Sequence, residues 1–400
     1  MRFAIFHAVC ALWVLWRFWL PMNAPRAVKV AGFVVTLLIA AFPAVTATFF
    51  GGLVSPELPA WVLAAGNGCV FALTVLAGLT LLREVVIFLS VLAGRSGERM
   101  HRFVQKDRRV AIGMTAAAVG ISAFGLRQGL RVPDVKERTV PIEDLPAGLD
   151  GMRFAQLSDP HAAALLRAPH MKELVARVNS LSPDLVVITG DLVDGEVDVR
   201  SEDVAPLAEL RARHGVIAVE GNHEHYLDYE GWMKKIPSLG IRLLRNEWRA
   251  VEHNGATLVV GGVTDPWARR FGRELPDPIK AFAGAPEKGP RILLSHQPKH
   301  ARKYDEAVRF DLQLSGHTHG GQLFALTELV AILNAAFVRG WYALKHARLY
   351  VHSGSGVWNG FPVRVGVPSE IAVFTLSRKV LGLRPGRSAA GKILRRTMEA

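Results

Sequence analysis

Uninterrupted apolar runs occupy much of the first third of this sequence, and such runs are typical of chains that fold within a lipid bilayer. A helix needs about 20 mainly apolar residues to cross the hydrocarbon core of a membrane. Four candidate spans cover residues 3–20, 28–50, 58–82 and 110–126. The third stays apolar to residue 92, so it is either one long tilted helix or a span followed by an interfacial turn. We therefore expect a transmembrane region of about four helices over 1–127.

The charges of the short loops predict how this region is oriented. Loop 95–109 is the most basic, and the first loop carries three more basic residues. Loop 51–60, by contrast, contains Glu57 and no basic residue. These charges place the first loop in the cytoplasm, loop 51–60 outside and loop 95–109 in the cytoplasm. The fourth span would then place the rest of the chain on the outer face of the membrane.

The composition changes after the fourth run. Three prolines lie among charged residues between 133 and 150, which predicts a linker over 128–150. A globular α/β domain is expected over 151–377, followed by a basic tail over 378–400. The net charge of +13 comes from 48 Lys and Arg against 35 Asp and Glu, and basic residues concentrate beside the apolar runs and in the tail. That distribution favours membrane lipid as a partner, and no nucleic acid is expected.

Five short polar clusters in the second half of the chain each follow a predicted strand. They are Asp159-Pro160-His161, Gly190-Asp191-Leu192-Val193-Asp194, Gly221-Asn222-His223-Glu224, Ser295-His296-Gln297 and Gly316-His317-Thr318-His319. Carboxylate, amide and imidazole donors from several strand ends suit a pair of divalent ions, because each ion needs several donors fixed in place. The clusters therefore predict a dinuclear metal site.

The chemistry of the individual side chains suggests separate roles at such a site. Asp191 can bridge two ions with its two oxygens, and Asn222 can supply a neutral ligand. His223 would lie near the ions without necessarily binding them, which suits a general acid that protonates a leaving oxygen. Asp194 is expected to cap a turn or to support a ligand, and His225 to lie at the surface or behind a ligand.

At these residues the chain resembles the calcineurin-like metallophosphoesterases, and in particular their bacterial membrane-associated branch with N-terminal spans. The motifs match in order over roughly 148–376. The resemblance implies a four-layer α/β/β/α fold in which two mixed sheets pack face to face. It also implies a multi-pass protein of the bacterial inner membrane. Pro160 and Ala162-Ala163 depart from the family pattern without removing a donor.

The resemblance further implies which residues bind the ions. One ion would be held by Asp159, His161, Asp191 and His319. The other would be held by Asp191, Asn222, His296 and His317. His223 would assist the leaving group, while Asp194 and Glu224 would support the ligands without binding the ions. The donors fit two divalent ions, Mn, Fe or Zn, and their identity is left open.

An apolar segment over 323–338 follows the last two histidines directly. It is expected to be a core helix, and the alternative is an apolar lid that admits a lipid tail. The function indicated is a membrane-anchored, metal-dependent phosphoesterase that cleaves phosphate ester or pyrophosphate bonds, with lipid-linked substrates as one option. The alternatives are a phosphatase or phosphodiesterase for soluble phosphoesters and a non-catalytic membrane sensor or scaffold.

Overall fold

The structure is a computed structural model that describes residues 2–93 and 107–378. The chain forms two compact units. The helical unit comprises Met1–Leu130 and Asn359–Val365, and the globular unit comprises Arg131–Trp358 and Gly366–Ala400. Most of the basic loop 95–109 and nearly all of the basic tail expected over 378–400 lie outside the described residues.

Four α-helices form the described part of the helical unit. They are α1 (Arg2–Val14), α2 (Arg26–Phe49), α3 (Ala60–Leu92) and α4 (Arg108–Leu130). The last three are long and apolar enough to cross a membrane, whereas α1 continues into a π-helical turn over Leu15–Trp19 and forms a shorter apolar helix. Three helices rather than the expected four therefore meet the requirement for a span. Pro21 follows the first run and cannot continue a helix, because it lacks a backbone N–H.

Helix α3 is uninterrupted over 33 residues, so its apolar run contains no interfacial turn. At the rise of an α-helix it is about 50 Å long, which exceeds the hydrocarbon core of roughly 30 Å. Glu84, in its second half, forms ion pairs with Arg17 and Arg83. Pairing is the form in which ionisable side chains are tolerated among membrane helices.

A short segment from the second half of the sequence, Asn359–Val365, also belongs to the helical unit. The side-chain amide of Asn67 donates to the carbonyl oxygen of Asn359 over 2.9 Å. A Cβ atom at Gly129 would lie 2.2 Å from the carbonyl oxygen of Pro362, so this approach requires glycine. The domain expected over 151–377 is therefore not continuous, because the segment Asn359–Val365 belongs to the helical unit.

Twelve strands and six α-helices form the described part of the globular unit. The strands are β1 (Asp134–Pro141), β2 (Arg153–Leu157), β3 (Leu185–Thr189), β4 (Val216–Val219), β5 (Ile241–Leu243), β6 (Glu247–His253), β7 (Ala256–Gly262), β8 (Arg291–Leu294), β9 (Leu312–Ser315), β10 (Gly340–Ala343), β11 (Arg348–Val351) and β12 (Glu370–Ser377). The helices are α5 (Ala168–Asn179), α6 (Val197–Val204), α7 (Tyr229–Ser238), α8 (Pro278–Ala281), α9 (Ala301–Ala307) and α10 (Thr327–Leu333).

These strands form two mixed six-stranded sheets. The first has the order β1-β12-β2-β3-β4-β5, and the second has the order β10-β11-β9-β8-β7-β6. Strands β2 to β5 are parallel in the first sheet, as are β7, β8, β9 and β11 in the second. Strand β1 pairs in parallel with β12 over eight residues, so the expected linker over 128–150 is not irregular but supplies an edge strand.

The two sheets pack face to face, as the resemblance implies. Phe154, Val187 and Val219 of the first sheet share one buried cluster with Val260 and Leu294 of the second. Helix α5 buries an apolar face that includes Met171, Leu174 and Val178, and α8 and α9 pack on the second sheet. The four-layer α/β/β/α architecture is therefore confirmed.

Candidate metal centre

Every predicted polar cluster lies in a loop that directly follows the carboxyl end of a strand. The strands concerned are β2, β3 and β4 in the first sheet and β8 and β9 in the second. Within each sheet these neighbours are parallel, and parallel strands bring their carboxyl ends to one edge. The sheets therefore deliver all five loops to one region.

The backbone is strained at most of the predicted ligands. Asp159, His161, Asp191, His317 and His319 have φ between 48° and 70°, a left-handed conformation that residues other than glycine seldom adopt. Such strain persists only where the surrounding structure imposes it, and it concentrates at functional sites. Here the strained residues are the predicted metal donors themselves.

One donor group contains Asp159, His161 and His319. The Nε2 atoms of His161 and His319 lie 3.1 Å apart, and Nε2 of His319 lies 3.3 Å from Oδ1 of Asp159. All three side chains are buried. With Pro160 before it and two alanines after it, His161 still lies within reach of the other two donors of this group.

A second donor group contains Asp191, His296 and His317. Nε2 of His296 lies 3.2 Å from Oδ2 of Asp191 and 3.1 Å from Oδ1 of Asn222. The amide nitrogen of Asn222 donates to the Tyr226 hydroxyl over 2.8 Å, which directs its oxygen toward His296. Oδ2 of Asp191 also lies 3.9 Å from Nε2 of His161, so this carboxylate faces both donor groups.

These separations fit divalent metal binding. Two donors bound about 2.1 Å from one ion lie roughly 3 to 3.5 Å apart, which matches the pairs within each group. The nitrogen and oxygen donors suit Mn, Fe or Zn, whereas calcium prefers oxygen ligands and would not select four histidines.

Asp194 connects the donor groups to His223. Its Oδ1 atom lies 2.9 Å from Nδ1 of His161 and 2.6 Å from Nδ1 of His223. One carboxylate oxygen therefore fixes the ring orientation of two histidines and leaves the Nε2 atom of each directed away from it. Asp194, His161 and His223 also form a third group of side chains that could hold a metal ion, although Asp194 bonds to the Nδ1 atoms of both rings. That Asp194 supports the ligands without binding an ion stays a prediction.

The charges of this pair follow from its surroundings. Burial favours a raised pKa for Asp194, but the imidazoles of His161 and His223 outweigh it and lower the pKa to about 2. Burial favours a lowered pKa for His223, but the carboxylates of Asp191 and Asp194 raise it to about 9. At neutral pH, His223 therefore carries a proton on Nε2 that it can donate.

His317 has the opposite character. Its burial, and next the neighbouring imidazole of His296, lower its pKa to about 3. The imidazole is therefore neutral at physiological pH, which is the form that binds metals. Its backbone N–H donates to Oδ1 of Asp159 over 3.0 Å, so the loop that carries His317 is fixed to the loop that carries the first donor group.

Glu224 holds two of the loops together from behind. Its carboxylate accepts hydrogen bonds from the backbone N–H groups of Gly221, Asp191 and Leu192 at 2.6, 3.1 and 2.6 Å. A Cβ atom at Gly221 would lie 2.2 Å from Oδ1 of Asp191, so the loops approach as closely as glycine permits. Glu224 thereby sets the position of the carboxylate that faces both donor groups.

Sequence analysis missed a buried polar network beside His296. Asp265 accepts two hydrogen bonds from the Gln297 amide, at 2.9 and 3.1 Å, and its backbone N–H donates to Glu220 over 3.2 Å. Glu220 in turn bonds to Nε2 of His225 over 3.0 Å. His225 is buried, which excludes the surface position and leaves the other expected position, behind a ligand. The missed signal was Asp265 itself, which marks a sixth polar position shortly after a buried strand, β7, in addition to the five clusters.

The apolar segment after His319 is not a core helix. It forms a 3-10 turn over Phe324–Leu326 and helix α10. The side chains of Phe324 and Ile332 are 73% and 76% exposed, and Leu329 and Leu333 are also more than half exposed. The expectation of a core helix was therefore wrong, because α10 turns only Ala331 inward. Phe337 and Val338, which follow the helix, are buried.

Comparisons with known proteins agree with this site. The family described as calcineurin-like phosphoesterase matches residues 152–321, which include all five clusters. A transmembrane protein with metallophosphoesterase domain from Danio rerio is 36% identical over 71% of this chain and 68% of its own length. An uncharacterized metallophosphoesterase from Helicobacter pylori is 36% identical over 67% of this chain and 70% of its own.

A third relative, a transmembrane protein with metallophosphoesterase domain from Bos taurus, is 33% identical over 72% of this chain and 67% of its own. The similarity to these relatives extends over most of each sequence. Together with the converging donors, it establishes that the chain belongs to the calcineurin-like metallophosphoesterases, a family of metal-dependent phosphoric ester hydrolases.

Proposed function

We propose that this protein is a membrane-anchored phosphoesterase that cleaves phosphate ester or pyrophosphate bonds in lipid-linked substrates. The observation that supports the chemistry is the convergence of seven donor side chains from five strand ends, with facing donor atoms 3.1 to 3.3 Å apart within each group. The observation that supports the substrate class is the exposed apolar helix that follows two of those donors.

The donor groups support one ion each. Asp159, His161, Asp191 and His319 would hold the first, and Asp191, Asn222, His296 and His317 would hold the second. Asp191 is the shared ligand, because its carboxylate faces His161 on one side and His296 on the other. When bound, such an ion pair lowers the pKa of a water molecule and offsets negative charge on the phosphoryl oxygens.

His223 is suited to protonate the leaving oxygen. Its Nδ1 atom is bonded to Asp194 and its backbone N–H to Oδ1 of Asp191 over 2.8 Å, so the ring is held on both sides. The side chain keeps 12% of its surface exposed, whereas the ligands His161 and His296 are closed off. The imidazolium can therefore reach a substrate and transfer a proton to an alkoxide or phosphate leaving group.

Helix α10 supports a substrate at a membrane surface. The chain runs from His319 to Phe324 in five residues, and the Thr327 hydroxyl donates to the carbonyl oxygens of Gly320 and Leu323, at 3.5 and 3.4 Å. The exposed apolar side chains are thus tied to the loop of His319. An exposed patch of this kind beside a polar site favours a ligand with both an apolar part and a phosphate.

The spans support placement of the catalytic residues outside the cytoplasm. If the basic starts of α2 and α4 lie on the cytoplasmic side, three crossings bring the chain out after Leu130. The short helix α1 does not change this result, since it precedes the basic loop that begins α2. A bacterial inner-membrane protein with an extracytoplasmic domain is the corresponding localisation.

The proposal can be tested with full-length protein purified in detergent. Metal analysis should give two divalent ions per chain, and hydrolysis of a generic aryl phosphodiester or monoester should require them. Full metal content without hydrolysis of any ester, including a lipid pyrophosphate, would instead favour the sensor or scaffold.

The substrate class needs a separate comparison. Ile332→Asp should lower hydrolysis of a lipid pyrophosphate embedded in vesicles while leaving hydrolysis of the soluble aryl ester unchanged. Ile279→Asp is the matched control, because Ile279 is 62% exposed on α8, outside the segment after His319. Equal rates for both variants on the embedded substrate would favour a soluble phosphoester instead.

A further inference from the structure

The helical unit contains an apolar groove that shares no residue with the metal centre. Its volume is about 780 Å³, within the range of pockets that bind small molecules. It lies among the π-helical turn after α1, the start of α2 and the first half of α4. Its walls include Phe18, Trp19, Val28, Ile112 and Val119. Both Ile112 and Val119 are more than half exposed, so the groove opens at the outer surface of the helices.

One cationic side chain lines this groove. Arg108, the first residue of α4, is exposed, and its Nε atom donates to the carbonyl oxygen of Asn23 over 2.6 Å. This bond ties the arginine to the loop before α2. In the described part of the chain, no other nitrogen of this guanidinium has a hydrogen-bond partner, so its remaining donors are available to a ligand.

The surrounding charges at this end are mainly positive. Arg26 begins α2 and Lys29 lies one turn later, with its ammonium bonded to the carbonyl oxygen of Leu20 over 2.9 Å. Arg109 follows Arg108, and its backbone N–H bonds to Asp107, the acidic residue at this helix start. An anionic group at the mouth of the groove would therefore meet a net positive field.

From this combination we infer that the groove is a binding site for an anionic phospholipid. One acyl chain lies along the apolar walls, and the phosphate accepts hydrogen bonds from the Arg108 guanidinium. An apolar wall alone would accept any acyl chain, and charge-assisted bonds to a guanidinium add a preference for a phosphate. The positive field at the mouth then favours a headgroup that carries no cation of its own. Basic pockets between membrane helices on the cytoplasmic side have this preference for anionic lipids.

Two glycines on α4 can test whether the groove binds the acyl chain of a lipid. Gly120 lines the groove, and a Cβ atom built there meets no atom within 4 Å. Gly120→Leu should therefore fill the groove without disturbing the helices. Gly113 is equally open but lies outside the lining, so Gly113→Leu is the matched control.

A second pair of variants tests whether the groove binds the phosphate of the lipid. Arg108→Ala removes the cation that lines the groove, and Arg127→Ala removes the same charge from the other end of α4, outside the lining. Delipidated full-length protein in detergent would be titrated with phosphatidylglycerol or phosphatidylcholine, and bound lipid would be counted by native mass spectrometry. A thermal unfolding curve for each variant verifies that it is folded.

Wild-type protein should bind one phosphatidylglycerol at least about 10-fold more tightly than phosphatidylcholine, because the positive charges at the mouth of the groove repel the choline ammonium. Arg108→Ala should lower that preference and weaken binding of both lipids, since it removes the donor to the phosphate, and Gly120→Leu should weaken binding of both lipids. Arg127→Ala and Gly113→Leu should bind as wild type does. Inorganic phosphate should not compete, since it has no chain to bury. Equal affinity for the two lipids, or unchanged binding by both Arg108→Ala and Gly120→Leu, would overturn the inference.

Discussion

Nδ1 of His223 lies 2.6 Å from Oδ1 of Asp194. This bond holds the imidazole so that Nε2, with its proton, is the atom directed away from the carboxylate. The Nε2 atom lies 3.8 Å from Oδ2 of Asp191, the carboxylate that faces both donor groups. We propose that His223 is a proton donor held beside the ions rather than a ligand to them, and this role can be tested in several ways.

Replacement of His223 by Ala should lower kcat by about 10² to 10⁴, the usual contribution of a general acid, while metal content stays unchanged. The loss should be smaller for an aryl ester with an acidic phenol, because that leaving group needs no proton. His346→Ala, which removes an exposed histidine between β10 and β11, is the control. Loss of metal from His223→Ala, or an equal loss of kcat for all leaving groups, would contradict the role of acid.

Asp194→Asn should lower activity by about 10- to 100-fold, as is typical when a residue that orients metal-binding histidines is changed. Asn has the same shape but lacks the negative charge that faces His161 and His223. The measurement is kcat together with metal affinity, and both should fall. Wild-type values for both quantities would show that the carboxylate does not position these rings.

Asp191→Ala should abolish metal binding at both donor groups, because its carboxylate is the one that faces each of them. In wild-type protein, addition of Mn²⁺ after chelation should raise the unfolding temperature, since a ligand that binds only the folded state stabilises it. Asp191→Ala should lack this shift. Asp198→Ala, an exposed carboxylate on α6, should retain it.

The globular unit should lose stability in acid through Glu370. Burial favours a raised pKa for this carboxyl, but His352, Arg138 and the hydroxyl of Tyr350 outweigh it, so the pKa lies below the usual 4.5. A group whose pKa is lowered by folding stabilises the protein above its unfolded pKa and loses that contribution as pH falls through the folded value. The stabilisation by Glu370 should therefore be complete above about pH 4.5, and it should be lost as the pH falls from there through the lower pKa of the folded state.

Glu370→Gln isolates this effect. The variant keeps the shape but loses the ion pair with Arg138, whose Nη2 lies 2.6 Å from Oε2. At pH 7 it should be less stable by about 1 to 3 kcal/mol, and the difference from wild type should shrink below pH 4.5. Thermal unfolding followed by tryptophan fluorescence at several pH values is the measurement. A difference that stays constant with pH would exclude Glu370 as the titrating group.

The outcome at Asp159 and at α10 illustrates what can be predicted from sequence. A buried strand followed at once by Asp159 and His161 is a local pattern, and the structure has the strand, the loop and the buried side chains where the pattern indicates. Helix α10 is as apolar as a helix of a protein core, yet most of its side chains are exposed. Local apolarity predicts a helix but not what the helix packs against.

The length of an apolar run predicts whether a helix can span a membrane. It does not predict which distant segments of the chain pair with each other. The runs that became α2, α3 and α4 were recognisable because crossing a bilayer imposes a length that shows in composition. The pairing of β1 with β12 was not recognisable, since the partners are separated by most of the globular unit. Charged residues and prolines made β1 resemble a linker.

The apolar helices, the α/β domain and the carboxylate, amide and imidazole side chains at strand ends could all be predicted, because each depends on residues close together in the chain. The contact of His161 with His319 across 158 positions, and the bonds of Asp194 to both His161 and His223, became apparent only from the fold. These contacts arise where parallel strands from two sheets end together, and no local pattern encodes that distance.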